Sequence, residues 1–248
     1  MEVHVMADEL FENPRLAAIY DFFDSDRSDL DAYEAMVNEF GARSVLDIGC
    51  GTGTFACRLA ARGIKVTGVD PAAASLHVAQ MKPWSDRVEW IHGDALSIPP
   101  LAVDLATMTG NVAQVFLTDE EWMGTLRAVR AALRPGGRFV FESRDPKAQA
   151  WLGWNRENTY RRVVVPGCGT VEGWVDVTDV QGSLVSFRTT YIFESDGAVI
   201  TSDSTLRFRS REEMTNSLLD AGLSVDEVRE APDRPGLEFV FIARRPMA

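Results

Sequence analysis

The feature that most constrains the fold is a regular alternation of short apolar strands with helices between Ser44 and Glu142. Neighbouring parallel strands need a crossover connection, usually a helix, so this alternation is typical of a parallel sheet with helices on both faces. The predicted strands are Ser44 to Ile48, Lys65 to Val69, Val88 to Ile91, Val103 to Met108 and Arg138 to Glu142. The chain should therefore form a three-layer α/β/α sandwich.

Capping residues mark the helices between these strands. The helix that follows the first strand is stopped by Gly63, and the next one covers Ala72 to Gln80. Thr118 and Glu121 have the spacing of a reciprocal capping pair, which satisfies two free backbone donors at a helix start. This third helix should end before Pro135.

Beyond Asn155 the pattern changes, because β-branched or alternating stretches follow one another without helical periods between them. Tight turns at Gly182 and Gly197 separate three of them, which predicts an antiparallel meander. The four predicted strands are Tyr160 to Val165, Thr170 to Val180, Leu184 to Glu194 and Ala198 to Phe208. We interpret this region as an antiparallel β-sheet inserted between the fifth strand and the last helix.

The α/β pattern then resumes with a helix capped by Ser210 and Glu213, followed by strands at Leu223 to Arg229 and Leu237 to Ala243. A short loop joins these two strands, which predicts a hairpin. A chain of 248 residues, 46% of them apolar, suits one domain with an insertion. Its predicted parts are an N-terminal helical cap (1–43), a core (44–154), the inserted sheet (155–208) and the end of the core (209–248).

Composition limits the possible binding partners of the chain and its expected location in the cell. The formal net charge of −12 disfavours a nucleic-acid substrate, because phosphates would be repelled over most of the surface. No apolar run is long enough for a membrane helix and the first residues are acidic, so we expect a cytoplasmic protein. Three cysteines without C-x-x-C spacing and the scattered His4, His77 and His92 predict neither disulfides nor a metal site.

A glycine-rich turn follows the first strand and points to a ligand site. Gly49, Gly51 and Gly53 stand where a strand turns into a helix, and glycine there lets a ligand approach bare backbone and free N–H groups. Asp70 ends the second strand at a spacing suited to a ribose diol, although it could also cap the following helix. Asp94 ends the third strand at the same edge, where an adenine amino group or an ordinary loop cap are equally good interpretations.

Four segments resemble the successive motifs of class I S-adenosylmethionine-dependent methyltransferases: Val45 to Gly53, Gly68-Val69-Asp70, Gly93-Asp94-Ala95 and Leu133-Arg134-Pro135-Gly136-Gly137. The resemblance covers about Ser44 to Glu142. It implies a Rossmann-like fold with a mostly parallel seven-stranded sheet and a reversed last strand, which agrees with the helix-strand-strand ending. A nicotinamide-binding protein fits worse, because its G-x-G-x-x-G motif would place the third glycine one position after Gly53.

The resemblance implies S-adenosylmethionine as cofactor, with S-adenosylhomocysteine as product. Asp47, Gly49, Cys50, Gly51 and Gly53 would surround its methionine part. Asp70 with Pro71 would hold the ribose, and Asp94 with Ala95 the adenine. Thr109, Gly110 and Asn111, after the fourth strand, would lie next to the sulfonium, unless they form an ordinary turn. Tyr20, from the N-terminal cap, is the residue that we expect over the cofactor, with core packing as the alternative.

The acceptor side is less defined by the sequence. Glu142 and Arg144, in the cluster Glu142-Ser143-Arg144-Asp145-Pro146, are the candidate catalytic residues. Glu142 could act as general base and Arg144 could clamp a substrate carboxylate, whereas a salt-bridged loop is the simpler interpretation. Trp151 and Trp154 could line an apolar pocket or join the inserted sheet to the core.

The resemblance implies methyl transfer, and the insertion implies a small-molecule acceptor, because small-molecule members of the family often carry a substrate lid or a dimer surface there. A nucleobase acceptor is less expected, because Thr109-Gly110-Asn111-Val112 replaces the N/D-P-P-Y loop typical of nucleic-acid amino-group methylation. The inserted sheet would be a substrate lid or the surface of a homodimer. Two alternatives remain open from the sequence. The chain could bind the cofactor without catalysis, or transfer another group, such as aminopropyl, from a related donor.

Overall fold

The central element is a seven-stranded sheet, which we describe from a computed structural model covering residues 7–247. Its strands are β1 (Ser44–Ile48), β2 (Lys65–Asp70), β3 (Val88–His92), β4 (Val103–Met108), β5 (Leu133–Arg144), β10 (Ser224–Glu230) and β11 (Glu238–Arg244). Their order is β10-β11-β5-β4-β1-β2-β3, and β11 is antiparallel to both of its neighbours. The predicted Rossmann-like sheet with a reversed last strand is confirmed.

A second, four-stranded sheet lies between β5 and the last helix of the chain. It consists of β6 (Arg161–Val165), β7 (Gly169–Gln181), β8 (Leu184–Phe193) and β9 (Val199–Arg207), all paired antiparallel in sequence order. The predicted antiparallel insertion is therefore confirmed, with every strand boundary within one residue of its expected position.

Helices cover both faces of the central sheet. These are α3 (Asp29–Glu39), α4 (Thr54–Ala61), α5 (Ala73–Gln80), α6 (Asp119–Ala132) and α8 (Arg211–Asp220). Three further helices, α1 (Glu9–Glu12), α2 (Pro14–Phe23) and α7 (Arg156–Thr159), contact the inserted sheet. Both predicted capping pairs are present, Thr118 with Glu121 at α6 and Ser210 with Glu213 at α8. Each pair satisfies two otherwise free N–H groups, which explains where these helices begin.

Two apolar clusters hold the three layers together. On one face, Trp122 and Leu126 of α6 pack with Phe141 of β5 and Phe241 of β11. On the other face, α3 and α4 cover alternate residues of the same strands, such as Val140. Because side chains of a strand alternate between its two faces, Glu142 belongs to the face that α3 covers and Ser143 to the face of α6.

The N-terminal part of the chain packs on the inserted sheet as well as on the core. Leu16 and Ile19 of α2 form a third cluster with Val171 of β7 and Phe193 of β8. The ring of Phe23 lies edge-on to Tyr191, with centroids 5.0 Å apart. The helix that carries Tyr20 is thus held by the insertion, a connection that the sequence did not indicate.

The fifth strand is longer than the predicted Arg138 to Glu142, because it is paired over most of its length on both sides. Leu133 pairs with β4, and Arg144 pairs with Glu238 at the start of β11. This pairing brings the beginning of the antiparallel strand β11 to the edge where β1, β2, β4 and β5 end. Side chains from five strands can therefore meet there, and this edge is the usual ligand site of open α/β sheets.

Candidate functional site

The loop from β1 to α4 adopts a conformation that requires glycine. Gly49 has φ +69°, and a Cβ placed on it would come within 2.5 Å of the Val112 side chain. Gly51 has φ +53°, and a Cβ there would meet no atom within 4 Å. The backbone at Gly51 therefore faces open space while the backbone at Gly49 is packed closely, which is the pattern of a loop that admits a ligand on one side.

Asp70, at the end of β2, holds this loop. Its Oδ2 accepts a hydrogen bond from the Gly51 N–H (2.7 Å) and its Oδ1 from the Ala72 N–H (2.8 Å). Ala72, not Asp70, is the N-cap residue of α5, so the interpretation of Asp70 as the helix cap before Pro71 is wrong in detail. Burial raises the pKa of the Asp70 carboxyl, although the two N–H groups counteract that effect.

Asp47, the fourth residue of β1, is a buried carboxylate beside the same loop. Its Oδ1 accepts a hydrogen bond from the Thr107 hydroxyl (3.0 Å), whereas no group among residues 7–247 pairs with its Oδ2. Burial raises its pKa to about 7, and the nearby charge of Asp70 adds to the effect. A buried oxygen without a donor is costly, so this position favours a ligand that brings a donor or a positive charge.

Two further predicted cofactor residues have local contacts of their own. Asp94 caps the short 3₁₀-helix Ala95–Ser97, because its Oδ1 accepts hydrogen bonds from the Leu96 and Ser97 N–H groups. The loop-capping interpretation is thus observed, and the contact with adenine stays a prediction. Tyr20 is half-buried in α2, its ring lies 5.7 Å from that of Phe11, and burial raises its pKa to about 12. Its hydroxyl therefore remains a proton donor at physiological pH.

The turn after β4 brings Asn111 into the interior of the edge. Gly110 and Asn111 both have positive φ, and Asn111 is 2% exposed. Its backbone N–H donates to Glu142 Oε1 (3.0 Å), and its Nδ2 donates to Glu238 Oε1 (3.2 Å). Thr109 to Asn111 thus form a turn, which was one of the two interpretations. The carboxylates of Glu142 and Glu238 hold Asn111 in place.

Glu142 and Arg144 do not pair with each other. Glu142 Oε2 accepts a hydrogen bond from the hydroxyl of Tyr33 on α3, so both of its oxygens have protein donors. Arg144 forms an ion pair with Glu238 (3.5 Å) and donates to Gln114 Oε1 (2.9 Å). Burial, and secondly the charge of Glu238, raise the pKa of Glu142. Both side chains thus already have protein partners, and their roles as general base and carboxylate clamp remain predictions.

Trp151 and Trp154 contact the inserted sheet. The ring of Trp151 lies edge-on to Phe208 with centroids 4.5 Å apart, and that of Trp154 lies edge-on to Phe187 at 5.0 Å. The guanidinium of Arg144 lies 5.4 Å from the centre of the Trp154 ring. The two tryptophans therefore join the segment after β5 to the insertion, which was the second of the two interpretations.

Three residues of this network were missed by sequence reasoning: Tyr33, Gln114 and Glu238. Glu238 is 3% exposed and lies on the same face of β11 as the buried Val240 and Ile242. A carboxylate at a buried position of the alternating pattern was the available signal, since isolated buried charges are avoided unless paired. Tyr33 and Gln114 carry no comparable signal.

The sequence also predicted that metal sites, disulfides and membrane-spanning helices are absent. Within residues 7–247, no group of three or more His, Cys, Asp or Glu side chains is placed to hold a metal ion, and His4 lies outside that range. Cys50, Cys57 and Cys168 are free thiols. Across the same residues, every helix is too short or too polar to span a bilayer.

Comparisons with known proteins agree with this geometry. A family model described as a methyltransferase domain matches residues 45–137. A cypemycin N-terminal methyltransferase from a Streptomyces species is 34% identical over 42% of this chain and 43% of its own length. A ubiquinone biosynthesis O-methyltransferase from Chromobacterium violaceum is 31% identical over 44% of this chain and 48% of its own. The chain thus spans less than half the length of these relatives.

Solved structures extend the likeness to the whole fold. The sugar N-methyltransferase KedS8 from a Streptoalloteichus species has a TM-score of 0.76 at 21% identity, covering 99% of this chain and 98% of that one. An S-adenosylmethionine-dependent methyltransferase from Clostridium acetobutylicum has a TM-score of 0.74 at 18% identity, covering 94% and 99%. At such identities the likeness shows the fold, insertion included. Residues 45–137 are thus similar to a methyltransferase domain, and the whole chain has the fold of the S-adenosylmethionine-dependent methyltransferases of known structure.

Proposed function

We propose that this chain binds S-adenosylmethionine at the edge formed by the ends of β1, β2 and β4, and transfers its methyl group to a small molecule. The observation that carries the proposal is the combination of open backbone at Gly51 with a buried oxygen of Asp47 that has no partner within residues 7–247. S-adenosylmethionine has a positive sulfonium and an ammonium group, which fit a site that offers a buried acidic oxygen beside open backbone.

The residues present fit this cofactor. Asp47 and the backbone from Gly49 through Cys50 to Gly53 would hold its methionine part. Asp70 with Pro71 would hold the ribose. The lone pairs of Asp70 that Gly51 and Ala72 do not use remain available to hydroxyl donors, because a carboxylate offers about four acceptor positions. The remaining assignments are Asp94 and Ala95 at the adenine, Thr109 to Asn111 near the sulfonium, and Tyr20 over the cofactor.

The bound cofactor supplies an activated methyl group, so the chain's own task is positioning. Aligning a nucleophile with the S–CH₃ bond and excluding water can lower a barrier by about 7–11 kcal/mol. The buried contacts of Asn111 with Glu142 and Glu238 fix the turn beside the proposed methyl group. Such rigidity serves positioning, because small displacements of the reacting atoms are costly to the rate.

The acceptor that we propose is a small molecule and not a nucleic acid, since the net charge is −12. Three relatives are named for a peptide N-terminus, for ubiquinone biosynthesis and for a sugar, so their names do not define one acceptor. We also propose a cytoplasmic location, with the inserted sheet as substrate lid or homodimer surface. Size-exclusion chromatography with light scattering would decide the oligomeric state.

Calorimetry tests the cofactor assignment. Wild-type protein should bind S-adenosylmethionine and S-adenosylhomocysteine, and Asp70→Ala should weaken both by about 1.5–3 kcal/mol, the value of hydrogen bonds to a charged group. Asp86→Ala, which removes an exposed carboxylate of the turn before β3, is the matched control and should bind normally. An unchanged dissociation constant in folded Asp70→Ala would remove Asp70 from the site.

A second experiment tests transfer. Methyl-labelled S-adenosylmethionine and a metabolite extract should yield a labelled product in the presence of the wild-type protein. Binding without turnover would support a cofactor-binding subunit, and consumption of the cofactor without label transfer would support transfer of another group.

A further inference from the structure

Two buried hydrogen-bond acceptors at the β5–β11 part of the edge have no donor among residues 7–247. Glu238 is 3% exposed and Asn111 2% exposed, and their side chains are joined by one hydrogen bond of 3.2 Å. Within residues 7–247, neither Glu238 Oε2 nor Asn111 Oδ1 has a hydrogen-bond partner. Buried polar atoms are nearly always paired, so two free acceptors on contacting side chains indicate a ligand that donates hydrogen bonds.

The orientation of the Asn111 amide is determined by its surroundings. Turning the amide over would place its oxygen against the carboxylate of Glu238, which has no proton to donate when ionised. Nδ2 must therefore be the atom that contacts Glu238 Oε1, and Oδ1 is left without a partner among residues 7–247. The free acceptor at Asn111 therefore follows from its contact with Glu238, and not from an arbitrary assignment of the amide oxygen and nitrogen.

In the described part of the chain, the cations next to Glu238 contact Oε1 and leave Oε2 without a partner. Arg234 Nη1 contacts Oε1 at 2.8 Å and Arg144 Nε contacts the same atom at 3.5 Å. Arg144 also donates to Gln114, and the carboxylate of Glu142 lies on the other side of Asn111. The donors bonded to Glu238 all contact Oε1, so the two atoms left without a partner among residues 7–247, Glu238 Oε2 and Asn111 Oδ1, are both acceptors. A ligand carboxylate or phosphate placed against them would be repelled, and an alcohol could satisfy at most one of them with its single O–H.

We infer that the methyl acceptor is an amine, bound with its N–H groups donated to Glu238 Oε2 and Asn111 Oδ1. This inference rests on the proposed function and names its substrate class. An acceptor that arrives as an ammonium ion first releases one proton to water, which frees the nitrogen lone pair. The lone pair then forms the N–CH₃ bond while the C–S bond breaks, and the electron pair of that bond stays on sulfur.

Three matched probes test the inference: cyclohexylamine, cyclohexanol and cyclohexanecarboxylate, each titrated by ligand-observed NMR into protein saturated with S-adenosylhomocysteine. The amine should bind at least about tenfold more tightly than the other two, because it alone carries several N–H donors and a positive charge. Glu238→Gln should abolish this preference. Glu230→Gln, an exposed carboxylate at the end of β10, is the matched control and should retain it.

The possible outcomes separate the two proposals. Equal binding of the three probes, no binding of any, or preference for the alcohol or the carboxylate overturns the amine inference. A preference for the carboxylate would instead support Arg144 as a clamp. Binding of S-adenosylhomocysteine is measured first. If the wild-type protein does not bind it, the proposed function itself is wrong. Should Glu238→Gln not fold, the preference of the wild-type protein for the amine still decides.

Discussion

The two halves of the sheet edge differ in how they are built. The glycine-loop half, at the ends of β1 and β2, consists of backbone and two aspartates within a short stretch of chain. The β5–β11 half joins Tyr33, Asn111, Glu142 and Glu238, which come from four separate parts of the chain. The first half depends on local conformation and the second on tertiary packing. Substitutions in the two halves should therefore have different consequences.

The largest expected effect is the pH dependence of stability caused by Asp47. Its pKa is raised from 3.8 to about 7, so between these values the folded chain binds more protons at this site than the unfolded chain. Stability should then decrease as pH rises from about 4 to 7, and remain constant above, with a limit of about 4 kcal/mol. Asp47→Asn should remove this part of the slope, measured by urea unfolding at pH 5 and 8.

Other buried carboxyls with raised pKa values, such as Asp70 and Glu142, contribute a slope of the same sign. The comparison of Asp47→Asn with wild type isolates the one residue, and Asp86→Asn controls for the loss of an exposed charge. Identical pH profiles for Asp47→Asn and wild type would mean that burial does not raise the pKa of Asp47. The glycine-loop half would then resemble an ordinary turn.

The next largest effect concerns Glu142. Glu142→Ala leaves the Tyr33 hydroxyl and the Asn111 N–H buried without their acceptor, and should lower the free energy of unfolding by about 3 kcal/mol. Tyr33→Phe removes only one donor and should cost about 1 kcal/mol. In the double variant the two losses should be less than additive, because both variants break the same bond. Additive losses would show that the two residues act independently.

These two cases explain what could be predicted from the sequence. The strand and helix positions, the capping pairs and the inserted sheet follow from local periodicity. They were found to within a few residues, except that β5 begins at Leu133 and not at Arg138. Asp47 and Asp70 could be placed at one edge because the ends of parallel strands meet there. Glu238 could not be added to them, since its position depends on how β11 aligns with β5. The attachment of α2 to the insertion depends in the same way on contacts between distant segments.

A smaller effect is expected within the glycine loop, where two substitutions separate steric contact from backbone strain. Gly49→Ala should lower the free energy of unfolding by about 2–3 kcal/mol, because its φ is positive and its Cβ would meet Val112. Gly51→Ala shares the positive φ but meets no neighbour, and should cost about 1 kcal/mol. Val112→Ala in the Gly49→Ala background should restore only the steric part. Equal losses for both glycines would indicate that Val112 moves away freely.

The smallest effect concerns Tyr20, which lies on α2 and belongs to neither half. Because burial raises its pKa to about 12, the hydroxyl stays protonated and donates at most one hydrogen bond to a bound cofactor. Tyr20→Phe should therefore weaken binding of S-adenosylhomocysteine by about 0.5–1.5 kcal/mol, equally at pH 6 and pH 9, in calorimetric titrations. Unchanged affinity, with a lower free energy of unfolding, would assign Tyr20 to the packing of α2 against the core. A loss that varies between the two pH values would require a second group that titrates beside it.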